Sequence, residues 1–349
     1  MKQNWKTIAI SIPIGGLFLW LAFRNVDLNE VLSYFGKIEK GWWIFWFILI
    51  SISSYLIRAE RWMLLVGEDR AKANRSSFIA GIFFGYLMNY IIPRLGEVSR
   101  CMYVSKKDDI STVSLIGTVV LERVIDVMML LIMVVFLFVY VITEQETVVR
   151  LFGTENAELI NKIGSFESVF VGLAILVAGY FLFRAGMSLL NKLETKESVI
   201  GSIAKKTKGL ISVFSTGLSN IRKVHNWPYF IVLTVLLWAC YIMMAYIPFY
   251  MFSMQDVYHL GVADSAILMV LAAVGVSLPS PGAIGTYHWF VTQTLFVLYN
   301  VPETVGLAYA FVTHSAMLLL VMGFTPIFLF INTFIPVSYT HLRAHETKA

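Results

Sequence analysis

Two apolar stretches of this chain are interrupted by proline and glycine at points where a membrane helix would otherwise run on. They read Ile91-Ile92-Pro93-Arg94-Leu95-Gly96-Glu97 and Leu278-Pro279-Ser280-Pro281-Gly282-Ala283-Ile284-Gly285. In lipid, an interrupted backbone is tolerated only where it is buried in protein or lines a polar cavity, because a freed N–H or C=O finds no water there. The breaks therefore mark a site, and the first carries an arginine and a glutamate.

Composition describes a membrane chain: 58% of the residues are hydrophobic and 14% charged, against about 25% charged in soluble domains. Apolar segments run from Thr7 to Phe23, Trp42 to Ile57, Phe78 to Ile92, Val124 to Ile142, Val169 to Phe183, Tyr229 to Phe252, Ala266 to Leu278, Ala283 to Tyr299 and Val305 to Phe334. A crossing needs about 20 residues, which the fourth, sixth and ninth segments supply with ease. The third, seventh and eighth are short or broken. No small-residue cleavage site follows Phe23, so the first helix is expected to be retained. Cys101 and Cys240 lie far apart without a CxxC spacing and suggest neither a disulfide framework nor a metal site.

Charge distribution sets the expected topology. Positive-inside bias places Met1 to Lys6 and the basic segment Arg58 to Arg75 in the cytoplasm, with residues 24 to 41 outside. Arg94, Arg100, Lys106 and Lys107 follow one more apolar segment, and the loop after Ile142 is acidic. A single crossing by Phe78 to Ile92 would invert the rule twice. A dip from the cytoplasm through Phe78 to Tyr103, turning at Pro93 to Gly96, satisfies it. The loops around Asp256 to Asp264 and Asn300 to Glu303 lack lysine and arginine, so the second break fits a dip from outside. The expected architecture is all-α: a polytopic helical membrane protein of about six full spans plus two re-entrant or broken hairpins, compatible with an inverted pseudo-repeat. An unbroken bundle of eight or nine helices is the alternative.

Residues 1–336 form one expected transmembrane domain. Within it the segment 187–227 mixes apolar residues with the chain's densest lysines, as in a headgroup-region helix or a solvated linker helix. Trp42, Trp43, Trp46, Trp227 and Tyr229 suit interfacial anchoring. Residues 338–349 change character abruptly and read as a non-native or disordered tail.

Arg94 and Glu97 are three apart after a helix-stopping proline, so both can project from one turn toward a cavity. A lone charge at the bilayer centre costs about 2.5–3.5 kcal/mol on insertion scales, so such residues are usually paired or functional. Arg94 suits a phosphate, gripped bidentately; an internal pair with Glu97 is the other reading. Glu122 and Asp126 share a helical face with Arg123 beside them. They could take a proton, orient a headgroup amine, or pair with Arg94 or Arg100 across the hairpin. Gly282 and Gly285 allow close backbone approach, and a following helix would offer N–H groups to an anion. His288 and His314 could relay protons or pack by hydrogen bonding. No Walker loop, dinucleotide fingerprint, zinc spacing or nucleophile elbow occurs, and the basic residues form no nucleic-acid stripe.

Pro93-Arg94-x-Gly96-Glu97-x-x-Arg100, Glu122-Arg123-x-x-Asp126 and Pro279-x-Pro281-Gly282-x-Ile284-Gly285, in that order, resemble the lysylphosphatidylglycerol synthase transmembrane or flippase-like family over essentially Met1 to Pro336. Members usually carry glycine where Ala283 stands and often an acid where His288 stands. In larger bifunctional members a soluble aminoacyl-transfer domain follows; here lysyl transfer is not expected. The resemblance implies handling of a phosphate-bearing lipid between leaflets of a bacterial inner membrane, with the N-terminus cytoplasmic. Arg94, Arg100 and Arg123 would bind phosphate; Glu97, Glu122 and Asp126 would shape the site or accept a proton. Pro93, Gly96, Pro279, Pro281, Gly282 and Gly285 make the backbone breaks. No catalytic residue, metal or cofactor is assigned. Membrane lipids are the expected partners, with self-association or a lipid-modifying enzyme as further ones. The alternatives are a membrane enzyme that transfers a headgroup or sugar from a lipid carrier, with Glu97 or Asp126 as base, and a non-transporting partner of such an enzyme.

Overall fold

The computed structural model of the chain describes residues 4–24, 26–36, 41–143, 224 and 226–334, with the single positions 184 and 188. The apolar segment Val169 to Phe183, the acidic loop, nearly all of the basic segment 187–227 and the tail from Ser338 lie outside the described residues. Among those described, every regular element is helical, the arrangement by which a chain in lipid satisfies its own backbone. They are α1 (Asn4–Phe23), α2 (Leu28–Gly36), α3 (Trp42–Leu64), α4 (Arg75–Ile91), α5 (Leu95–Asp108), α6 (Thr112–Thr143), α7 (Trp227–Met251), the single turn α8 (Met254–Val257), α9 (Val262–Ser277), α10 (Thr286–Tyr299) and α11 (Glu303–Phe334). Helices α3, α7 and all but the last residue of α11 are long and apolar enough to cross a membrane. The expected loop at 24–41 contains α2, and α3 runs on to Leu64 instead of stopping at Ile57.

Both breaks are helical hairpins. Pro93 disfavours helical backbone at Ile92, which is extended at φ −135°, and Arg94 then takes a left-handed turn at φ 65°. Helices α4 and α5 have 17 and 14 residues, about 26 and 21 Å long and so shorter than a hydrocarbon core of roughly 30 Å. They pack antiparallel through glycine: a Cβ at Gly81 would stand 2.9 Å from Val104 Cγ2, one at Gly85 would stand 2.9 Å from the Gly96 carbonyl oxygen, and one at Gly96 would collide with the Gly85 carbonyl. Side chains tie both ends of this hairpin. Asn89 Oδ1 accepts from the Gly96 N–H at 2.7 Å near the tip, and Asp108 Oδ2 accepts from the Asn74 N–H at 2.8 Å at the open end.

The second hairpin repeats the plan. A Cβ at Gly275 of α9 would stand 2.9 Å from the Thr286 carbonyl of α10, so Gly275 and Thr286 meet across this hairpin as Gly85 and Gly96 do across the first, with the same eleven-residue separation. Its tip holds three left-handed residues, Gly282 at φ 57°, Ala283 at φ 60° and Gly285 at φ 84°. Only Ala283 among them carries a Cβ.

Helix α11 fixes the relation between the hairpins. Its first third packs on the open end of the second, where Gln293 donates to Glu303 at 3.0 Å and a Cβ at Gly306 would stand 3.3 Å from Thr292 Cα. Its last third packs on the first, with Phe328 stacked on Phe83 and Asn332 hydrogen-bonded by Ser76 at the start of α4 and donating to Tyr103 on α5. At 32 residues α11 is about 48 Å long. The hairpins therefore enter from its opposite ends, and their tips meet beside its middle. A Cβ at Gly282 would run into the Tyr90 ring on α4, and Tyr90 lies edge-on to His314 of α11. Helix α1 braces the second tip, with the Gly15 carbonyl against Gly285 and Phe18 beside Trp289 and Phe290.

Gly96→Ala is expected to lower stability by about 1–3 kcal/mol through overpacking. Gly117→Ala, with nothing within 4 Å of the added carbon, is expected to be neutral or mildly stabilising. Ala283→Gly relieves a left-handed alanine and is expected to add about 1 kcal/mol. Thermal unfolding of the detergent-solubilised protein checks all three, and equal losses for Gly96→Ala and Gly117→Ala would contradict the glycine packing.

Candidate functional site

A buried ionic cluster joins three elements beside the first hairpin. Arg58 and Arg61 project from one face of α3, Glu122 and Asp126 from one face of α6, and Arg100 from α5. Glu122 is completely buried. Its Oε2 accepts from Arg100 Nη2 at 2.7 Å, while its Oε1 lies 3.1 Å from Arg58 Nε and 3.3 Å from Arg61 Nη2. Asp126 takes Arg58 Nη2 at 2.8 Å and Arg61 Nη2 at 2.6 Å. Arg58 also donates to the Tyr86 hydroxyl at 2.5 Å, and the Arg100 guanidinium lies 4.5 Å from the centre of the Trp62 ring. The indole in turn donates to Thr118 at 2.8 Å, so α3, α5 and α6 are locked around one carboxylate.

The outer edge of the cluster is more open. Arg123 is 45% exposed and reaches Glu97 at 3.2 Å and Asp126 at 3.6 Å. Arg58, Gly85, Tyr86, Asn89, Gly96, Glu97, Arg100 and Arg123 line a small cleft, with Ile82 as its apolar wall. Arg58, Arg61, Arg100 and Arg123 face Glu97, Glu122 and Asp126, leaving an excess of one positive charge. Some donors are unspent: Arg58 Nε, Arg61 Nε and Arg61 Nη1 are buried without a hydrogen bond, and so is Glu97 Oε2. The 3.1 Å approach of Arg58 Nε to Glu122 is an ion pair out of line for hydrogen bonding.

The residues singled out from the sequence fall into two places. Glu97, Arg100, Glu122, Arg123 and Asp126 come together in the cluster, with Gly96 against its cleft. Arg94 does not join them: it is exposed at the left-handed turn, does not line the cleft and makes no ion pair among the described residues. Glu97 pairs with Arg123 instead. Pro93 is buried at the first turn; Pro279, Pro281, Gly282 and Gly285 form the second tip, away from the ionic cluster. Arg58 and Arg61, expected in a cytoplasmic loop, are instead buried at the centre of the cluster, because α3 continues through them. The signal was present in the apolar run Trp62 to Val66, which is out of character for a loop. His288 and His314, distant in sequence, face each other with ring centroids 4.9 Å apart.

The fold and cluster define a polytopic helical membrane protein with two opposed hairpins and a buried arginine–carboxylate cluster. The chain belongs to the lysylphosphatidylglycerol synthase TM region family, whose profile matches residues 8–324. It is similar to the UPF0104 membrane protein MJ1595 of Methanocaldococcus jannaschii, 24% identical over 321 residues that cover 88% of this chain and 90% of that one. No solved structure matches the chain.

Glu122→Gln removes the charge that three arginines share and is expected to destabilise the protein by about 3–5 kcal/mol. Combined with Arg100→Met, the loss should be clearly less than the sum of the two single changes, since they act on one network. Arg123→Ala, at a half-open pair, should cost no more than about 1 kcal/mol. Thermal unfolding of the four variants gives the cycle, and strict additivity would break the network assignment.

Proposed function

We propose that the chain binds an anionic, phosphate-bearing lipid, a phospholipid or a polyprenyl phosphate, and passes its headgroup between leaflets of a bacterial cytoplasmic membrane, with the N-terminus inside. The observation that carries this reading is the excess of guanidinium over carboxylate in a cluster that opens into a cleft. A phosphate offers oxygens that pair bidentately with arginine. Arg123 and Arg100 are placed to receive it in the cleft, Arg58 stands behind them, and Glu97 and Asp126 hold Arg123 in position. Arg94, exposed on the tip turn, is a first contact for a headgroup entering from the lipid. The acyl or polyprenyl chains would stay outside the cleft, against the apolar helix faces.

Reconstitution in proteoliposomes tests this. Leaflet exchange of a labelled anionic phospholipid or polyprenyl phosphate should exceed that of protein-free vesicles. Arg123→Ala should reduce it roughly ten- to a hundredfold, the worth of a charge-assisted hydrogen bond of about 1.5–3 kcal/mol. Exchange no faster than in empty vesicles for every lipid tried would sink the transport reading. One observation favours the enzymatic alternative: Glu97 Oε2 is buried at the cleft without a hydrogen bond, as an unspent base would be. A deletion strain separates the two, since loss of an enzyme removes a lipid product and loss of a transporter changes only its sidedness.

A further inference from the structure

The ionic cleft leaves unused a second polar site, at the junction where the two hairpin tips meet. His288 lies in the first turn of α10, and its Nδ1 accepts the Gly285 N–H at 3.3 Å. It thus does for this helix what a glutamate or glutamine does in a capping box: it satisfies the N–H at the helix start. His314 of α11 stands against it, and its Nε2 is buried with no hydrogen-bond partner. From α4, Tyr90 is edge-on to His314 and touches Gly282 of the other tip. From α10, Tyr287 packs on both rings and shares a hydrogen bond of 3.0 Å with Thr313. Phe311 closes the pair from α11. The tip residues Ser280 to Gly285 and the facing turn Gly15 to Phe18 of α1 contain no ionisable side chain. Among the described residues no carboxylate, lysine or arginine is hydrogen-bonded or ion-paired to either ring.

We propose that His288 and His314 form a proton site that holds the tips together while neutral and releases them when acid loads it. The geometry supplies the reason. An Nδ1 that accepts the Gly285 N–H cannot also carry a proton, so protonation there abolishes the cap and leaves the amide of a left-handed glycine without an acceptor. The new charge would also sit in the first turn of a helix, where the macrodipole opposes a cation, and no anion is placed to offset it. A second proton on His314 would face the first across 4.9 Å. The loaded state is relieved by separating the tips and admitting water, where an imidazole titrates near its ordinary value of about 6.5. Since the proton binds the separated form and not the joined one, one pH unit below that value favours separation about tenfold for each histidine. The contact between two hairpins entering from opposite faces is thereby tied to acidity. This goes beyond the lipid reading and needs no transported lipid to be examined.

Hydrogen exchange of the whole protein in nanodiscs tests it, with labelling times corrected for intrinsic exchange at each pH. Between pH 7.5 and 5.5 the peptide spanning 278–288 should lose at least about tenfold protection, while peptides from α7 hold theirs. His288→Asn keeps an acceptor for the Gly285 N–H but cannot titrate, so its tip should lose clearly less protection than that of the wild type, the remainder being the share of His314. His314→Asn should retain part of the response. Three results would overturn the proposal: a wild-type tip indifferent to pH, protection lost equally throughout the protein, or His288→Asn responding as the wild type does. Should His288→Asn fail to fold, an undiminished response in His314→Asn overturns the pairing and a reduced one supports it.

Discussion

Glu122 is completely shut off from solvent, and three arginines around the first hairpin meet its charge. A fully buried carboxylate is tolerable only if cations and hydrogen bonds are brought to it. Here they come from two directions, Arg58 and Arg61 from α3 and Arg100 from α5. That requirement dictates backbone placement. Helix α5 must lie close to α4 for Arg100 to reach inward, and the glycines at 81, 85 and 96 let it do so. It also brings α3 and α6 together along the segment where Trp62 bridges Arg100 and Thr118. Without the carboxylate, three guanidinium groups would repel one another inside the bundle, so the charge and the packing are one constraint.

The second hairpin follows the same backbone plan with none of the charge. Its close approach uses Gly275 and Thr286 in the places that Gly85 and Gly96 hold in the first, and α11 runs past both hairpins from opposite ends. What differs is the tip. The first turns over proline and a left-handed arginine, with Asn89 supplying the missing acceptor for the α5 amide; the second turns over two prolines and three left-handed residues, with His288 supplying the acceptor for α10. Each break is thus repaired by one side chain that accepts an N–H at the start of the following helix, from before the break in Asn89 and from within the helix in His288, the condition under which a broken helix survives in lipid. Tyr86 and Tyr90, one turn apart on α4, touch the ionic cleft and the tip junction respectively. That turn is the physical link between the two sites.

The breaks, the hairpins and the Glu122–Asp126 face were legible in the sequence because each rests on a local rule: proline stops a helix, glycine admits close backbone, and residues four apart share a face. Arg58 and Arg61 were not, because counting positive charge along the chain treats every arginine beyond an apolar run as aqueous. Their burial depends on Glu122, some sixty residues away in the chain, and no local rule sees that. Arg94 was misdirected for the opposite reason. Spacing places it with Glu97 on one turn, but a left-handed φ rotates it out of the helix that carries Glu97. The histidine pair was visible only as two isolated residues, since their meeting depends on how α10 lies along α11. Ala283 shows a local rule working after the fact: its φ of 60° explains why glycine suits that position.

A buried arginine–carboxylate network is a poor way to buy stability. Apolar side chains of similar volume would hold α3, α5 and α6 together as well or better, because desolvating ions costs about as much as their attraction returns. Lipid sharpens this, since each helix already inserts more readily without its charges. The cluster is also not neutral, with four guanidinium groups against three carboxylates, and Arg58, Arg100 and Arg123 line the cleft while Arg61 is sealed behind them. A purely structural network would close on itself and spend every donor. This one leaves Glu97 Oε2 unpaired and Arg58 Nε without a hydrogen bond at the cleft, and two nitrogens of the sealed Arg61 unpartnered behind it. The imbalance is what an anionic headgroup with its own acceptors would complete, and it is the physical ground on which the proposal of lipid binding rests.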